Sequence, residues 1–133
     1  MCAAATAAIR HLKTSSWERE RQQDRAARVK AVLSAAALPI MLSDTHIVPV
    51  VVGDPEKCKA ATDLLLTKYG IYIQPINYPT VPRGTERLRI TPTPYHEDDL
   101  IDRLAAALIE VWKHLGLPFE DHMPPARRKP PVL

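Results

Sequence analysis

The alternation Arg87-Leu88-Arg89-Ile90 constrains this chain more tightly than any other feature of it. Residues two apart on a strand share a face, so the two arginines project together while Leu88 and Ile90 project the other way. Only the apolar face can enter a core. A sheet built on this strand is therefore covered on one side and open on the other, and the open side presents two guanidinium forks. Such forks suit a carboxylate held in bidentate fashion.

The flanking sequence supplies the layer that covers the apolar face. Residues 3–13 are alanine-rich and favour helix, with Ile9 and Leu12 as their apolar contacts. Ser15 or Ser16 can cap a longer helix reaching Ala37, with Glu18 and Glu20 in its first turn. Val29, Leu33 and Ala36 mark its buried stripe, and Arg19 to Arg28 reads as a solvated face. The β-branched run 46–53 predicts a strand, and Pro49 within it places that strand at an edge or a bulge. Asp54-Pro55-Glu56 opens a helix that Gly70 can close in the left-handed region. Strands are expected over 71–76 and 86–91. A final helix follows from Glu97-Asp98-Asp99, with Ile101, Leu104, Leu108, Val111 or Trp112, and Leu115 on one face, and stops at Gly116 and Pro118. The order α-α-β-α-β-β-α describes an α+β layer, a small and mostly antiparallel sheet with helices on one face. Residues 1–37 form a helical lead-in and 38–117 the α+β domain. Residues 118–133 form a Pro-rich basic tail expected to be disordered.

Composition narrows the function classes. The pI near 9.0 suggests nucleic acid until the charge is mapped. Residues 1–37 carry seven Lys/Arg against three Asp/Glu, and 38–124 carry eight against twelve. The basicity thus sits on the leading helices and the tail, without interleaved aromatics to stack bases, so nucleic-acid binding is not expected. No apolar run approaches the roughly 20 residues that cross a bilayer. The N-terminus lacks the basic start of a signal peptide, and a cytoplasmic protein without membrane contact is expected. Cys2 and Cys58 have no metal-ligand spacing and read as ordinary thiols. A Gly-rich phosphate loop, paired catalytic carboxylates and a Ser/His/Asp constellation are all absent from the sequence. No catalytic, cofactor-binding or metal-binding residue is therefore assigned.

The run from Gly70 to Pro94, with Asn77-Tyr-Pro-Thr-Val-Pro-Arg-Gly-Thr leading into Arg87-Leu-Arg-Ile-Thr, resembles the C-terminal domain of the 5-aminolevulinate synthases. These form a branch of the α-oxoamine synthases, pyridoxal-phosphate enzymes with the aspartate-aminotransferase fold. The likeness extends to residues 3–14 and 46–54 and reaches about Leu117. It implies condensation of glycine with succinyl-CoA to 5-aminolevulinate, CoA and CO2, the entry to haem, in a homodimer whose active sites lie at the subunit interface. It also implies that Arg89 grips the carboxylate of glycine and that Thr80 hydrogen-bonds the succinyl carboxylate. Arg87 shares the face of Arg89 without a role carried over, and a structural ion pair is expected for it. His46 is expected to be a hydrogen-bonded structural histidine, and Trp17 and Trp112 packing residues. The family's Schiff-base lysine has no counterpart among the seven lysines here. The chain thus resembles the C-terminal portion of a longer enzyme and is expected to be inactive alone. A sister α-oxoamine synthase using another acyl-CoA, and a non-catalytic binding or dimerisation module, are the competing readings.

Overall fold

The computed structural model describes residues 1–120. Its elements run α1 (Cys2–Thr14), α2 (Trp17–Ala35), β1 (Val48–Val51), α3 (Pro55–Tyr69), β2 (Gln74–Ile76), β3 (Arg87–Ile90) and α4 (Asp98–Leu115). The expected order is reproduced, and the α+β layer with it. The strands form one antiparallel sheet in the order β1-β3-β2, with Val50 opposite Leu88 and Pro75 opposite Leu88 from the other side. Leu88 therefore sits at the centre of the sheet, fully buried. Val48, Val50, Leu88 and Ile90 join residues of α2, α3 and α4 in one core that includes Val29, Leu33, Leu65, Leu108 and Trp112. Helices cover that face alone.

Pro49 lies on an edge strand, as its missing N–H requires. Its carbonyl and the Val51 N–H point away from β3, where they meet Met41 N (3.0 Å) and Pro39 O (2.8 Å). The proline nitrogen lies on this outer side, so the ladder to β3 loses no donor. The strand expected over 71–76 is shorter. Ile71 N donates to Leu65 O in the turn that ends α3, and β3 stops at Ile90 before Pro92. In the register of β2 on β3, residues 71 and 72 would face Pro92 and Thr91, beyond the end of β3, and so have no strand to pair with.

The caps of α3 form as the sequence predicts. The Asp54 side chain accepts from Lys57 N at 2.8 Å, and Gly70 closes the helix at φ 67°. The Ser16 cap of α2 differs: its hydroxyl donates to the Glu20 carboxylate and makes no cap bond to a backbone N–H. Beyond the Ala36 cap of α2 the chain turns through a non-glycine, Ala37, in the left-handed region at φ 54°, and Leu38 N returns to Leu33 O at 3.0 Å. Alanine carries a Cβ penalty there that glycine lacks. Ala37→Gly is expected to stabilise the fold by about 0.5–1 kcal/mol, read as a higher midpoint in urea with an unchanged slope.

Three expectations for the helices are corrected. Arg25, read as part of a solvated face, is 9% exposed. It lies four residues before Val29 and so falls on the buried stripe. Its guanidinium contacts Asp24 and reaches Asp98 in the first turn of α4 at 2.7 Å, tying the two helices together. Ile9 and Leu12 are exposed, since α1 buries none of its residues. Trp112 is fully buried as expected, whereas Trp17 is half exposed, its ring 6.3 Å from that of Tyr95. The tail expected from Pro118 begins with packed residues. Phe119 rests against the core and Glu120 N donates to Ala37 O at 2.7 Å. Its remainder, 121–133, lies outside the described residues.

Cys58 is fully buried on α3 and Cys2 is exposed on α1. Burial pushes the Cys58 thiol up to about 11 from its ordinary 9.0, with the Glu86 and Asp54 carboxylates adding to the shift. At pH 8 an aromatic disulfide reagent should therefore titrate one thiol of the native chain, Cys2, and a second only after unfolding. The folded value lies above the unfolded one. The associated stability is thus complete below pH 9 and falls as pH rises toward 11, where the unfolded chain sheds the proton first.

Candidate substrate-binding face

The open face of the sheet is built in two rows. Across the strands Pro49, Arg89 and Gln74 form one, and Val51, Arg87 and Ile76 the other. The pairing thus puts both arginines on the side opposite the helices, as their spacing requires. Their environments differ.

Arg87 is half-buried. Its Nε donates to Thr85 O (3.0 Å), its Nη2 to Thr85 Oγ1 (3.2 Å), and its Nη1 lies 3.1 Å from Met41 Sδ. Among the described residues it makes no ion pair, contrary to the expected role. Burial lowers its pKa from the ordinary value, and the Glu86 carboxylate opposes that shift. Two of the three nitrogens hold Thr85 and the third meets Met41, which suits Arg87 to bracing the β2–β3 connection.

Arg89 is exposed and, among the described residues, has no hydrogen bond or ion pair. Glu86, a conceivable surface partner for it, is fully buried. Strand alternation explains the separation, because Glu86, Leu88 and Ile90 point inward and Arg89 outward. Arg89 is therefore a free fork on a rigid strand. It borders a cavity of about 460 Å3 at the β2 edge, whose lining also includes Tyr72, Gln74, His96 and Leu104. His96 is held by Thr93 N, which donates to its Nδ1 at 2.8 Å.

Thr80 lies on the exposed connection between β2 and β3, after the cis Tyr78–Pro79 bond. Its N–H donates to Asn77 O at 2.9 Å, and its hydroxyl has no partner among the described residues. It borders neither the cavity beside Arg89 nor a second one of about 210 Å3 lined by Pro55, Tyr78, Arg83, Gly84 and Glu86. The connection joins the sheet at the Ile76–Arg87 end, and Arg89 is one row further along, roughly 7 Å up the strand. The two expected substrate residues thus share no cavity. His46, half-buried before β1, makes no hydrogen bond among the described residues, unlike the expected structural histidine.

The described lysines do not fit the attachment of pyridoxal phosphate. Lys30 donates to the carbonyls of Ser43 and Thr45, Lys59 pairs with Asp63, and Lys68 lies over the Tyr69 ring. Lys13, Lys57 and Lys113 are exposed. None is a desolvated amine poised to attack a carbonyl. No group of three or more His, Cys, Asp or Glu side chains among the described residues could hold a metal ion.

Comparison with known proteins decides the ancestry of this face. Residues 1–108 match the aminotransferase class I and II family. The chain belongs to that family. Within it, this class I and II member is 73% identical over 120 residues to the 5-aminolevulinate synthase of Bradyrhizobium diazoefficiens, covering 90% of the chain and 29% of the relative. It is 54% identical over 117 residues to that of Rhizobium meliloti, with 88% and 29% covered. With the mitochondrial 5-aminolevulinate synthase of Yarrowia lipolytica it shares 52% over 115 residues, 86% of the chain and 20% of the relative. A solved serine palmitoyltransferase from S. paucimobilis with bound PLP and myriocin superposes with a TM-score of 0.75 at 27% identity, covering 86% of this chain and 29% of that one. The class I and II segment thus spans about 29% of the length of its bacterial relatives. No helix among the described residues is long and apolar enough to cross a membrane.

Proposed function

We propose that this chain is the C-terminal substrate-binding segment of a 5-aminolevulinate synthase, an acyltransferase that condenses glycine with succinyl-CoA to 5-aminolevulinate, CoA and CO2. The observation that carries the reading is the unpartnered Arg89 fork on the open sheet face, in a chain 73% identical to a synthase of that name. Arg89 takes the glycine carboxylate in a two-point grip. Because β3 is fixed by both neighbours, the grip sets the direction of the amino acid as well as its position. Thr80 offers its free hydroxyl to the succinyl carboxylate. Pyridoxal phosphate, held elsewhere in the longer enzyme, would supply the electron sink of the reaction. The chain's own contribution is binding and orientation.

A homodimer goes with this reading. The uncovered Ile9 and Leu12 of α1 supply apolar surface for the rest of a longer enzyme or a second subunit. A cytoplasmic location is part of the same proposal, although one relative is named as mitochondrial.

The test is a joined enzyme in which this chain replaces the matching segment of the Bradyrhizobium diazoefficiens synthase. The joined enzyme should form 5-aminolevulinate from glycine and succinyl-CoA, while the 133-residue chain alone should form none. Preference for a different acyl-CoA would move the reading to a sister enzyme. A borohydride-reducible absorbance on the isolated chain with pyridoxal phosphate, lost on replacing one lysine, would contradict it.

A further inference from the structure

Glu86 is the one fully buried carboxylate among the described residues. Burying a charge is unfavourable unless it is paired or hydrogen-bonded, yet Glu86 Oε1 has no partner among the described residues. The other oxygen, Oε2, accepts from Gly84 N at 2.8 Å. Gly84 stands at φ 83°, a conformation that favours glycine, so its N–H is presented by a turn that other residues would strain. The Glu86 backbone carbonyl is also engaged, accepting from Val52 N (2.8 Å) and Gly53 N (2.9 Å). The residue is thus fixed at both ends between β1 and the start of α3.

The opposite end of the same connection is fixed against the same helix. Asn77 Nδ2 donates to Pro55 O at 3.5 Å, and the Asn77 carbonyl accepts from Thr80 N (2.9 Å) and Val81 N (3.4 Å). Arg87 holds Thr85 from the open side of the sheet. Pro55 borders the cavity that Glu86 lines. The arc 77–85 is therefore anchored at its first residue by Asn77 and near its last by Glu86, with Thr80 between. A charge-assisted bond is the stronger of the two anchors.

We infer that Glu86 is a positioning residue for the acyl donor: by holding Gly84 N–H it fixes the arc that presents Thr80 to the donor's carboxylate. This rests on the reading of Thr80 given above. Glu86 touches no substrate and acts through the backbone.

Two substitutions separate the acceptor from the charge. Glu86→Gln removes the charge and keeps an oxygen for Gly84, and Glu86→Met removes both at similar volume. In the joined enzyme Glu86→Met should raise KM for succinyl-CoA about tenfold, with kcat and the glycine KM within about twofold, because one anchoring hydrogen bond is lost. Glu86→Gln should stay within about threefold of the parent. A purely structural role predicts no difference between the two, and equal KM values would overturn the inference. Hydrogen exchange on the unmodified 133-residue chain answers even if Glu86→Met fails to fold. Gly84 N–H should exchange more slowly than that of Arg83, and equal rates would overturn the inference. Thr80→Val is the control for the underlying reading. If it leaves the succinyl-CoA KM unchanged, the Thr80 role falls and the inference with it, while Gly84 protection still reports the anchor separately.

Discussion

Replacing Arg89 by leucine in the joined enzyme is expected to lower kcat/KM for glycine by about 10² to 10³. A two-point grip on a carboxylate comprises two charge-assisted hydrogen bonds, and losing both costs on the order of 3–4 kcal/mol. The loss should leave KM for succinyl-CoA nearly unchanged, because Thr80 lies on the β2–β3 connection and borders no cavity with Arg89. It should also leave the thermal midpoint within about 2 °C, since an exposed side chain without a partner carries little of the fold. Initial-rate kinetics with each substrate varied, together with a melting curve, check all three statements. A large drop in melting temperature would mean that Arg89 holds the sheet and would withdraw it from the substrate.

The neighbouring residue should behave in the opposite way. Leu88→Ala removes a fully buried side chain from the central strand, between Val50 on one side and Pro75 on the other. Truncating a core leucine costs about 2–5 kcal/mol, from lost transfer energy and from the cavity left behind. A domain's whole stability is only about 5–15 kcal/mol, so the melting midpoint should fall by roughly 8–20 °C. At temperatures where the variant is still folded, its glycine KM in the joined enzyme should match that of the parent. The two substitutions, one residue apart, then separate the two faces of β3: Leu88 holds the domain and Arg89 addresses the ligand.

Much of this was legible because it followed from local rules. Alternation on β3 put the arginines on one face, Asp54-Pro55 and Gly70 delimited α3, and Pro49 placed β1 at an edge. What escaped sequence reading depended on partners distant in the chain. The strand does not extend to 71 and 72 because β3, its would-be partner, ends at Ile90. Arg87 exchanged an expected ion pair for Thr85 and Met41. Two signals were nevertheless present. Glu86 is two residues before Leu88 and so belongs to the inward face, where an acid needs a reason to stay. Arg25 is four residues before Val29 and shares its buried stripe. In both cases the position on the periodic face prevails over the charge of the residue.

The free fork on the open sheet face is the centre of this account, and charge alone must be separated from geometry to test it. Arg89→Lys keeps the positive charge and removes the planar pair of donors. Glycine titration of the joined enzyme carrying that substitution should show binding weaker by about tenfold or more, as expected for loss of one of two charge-assisted bonds. Affinity equal to that of the parent would contradict the assignment of Arg89 as the two-point grip on the amino-acid carboxylate.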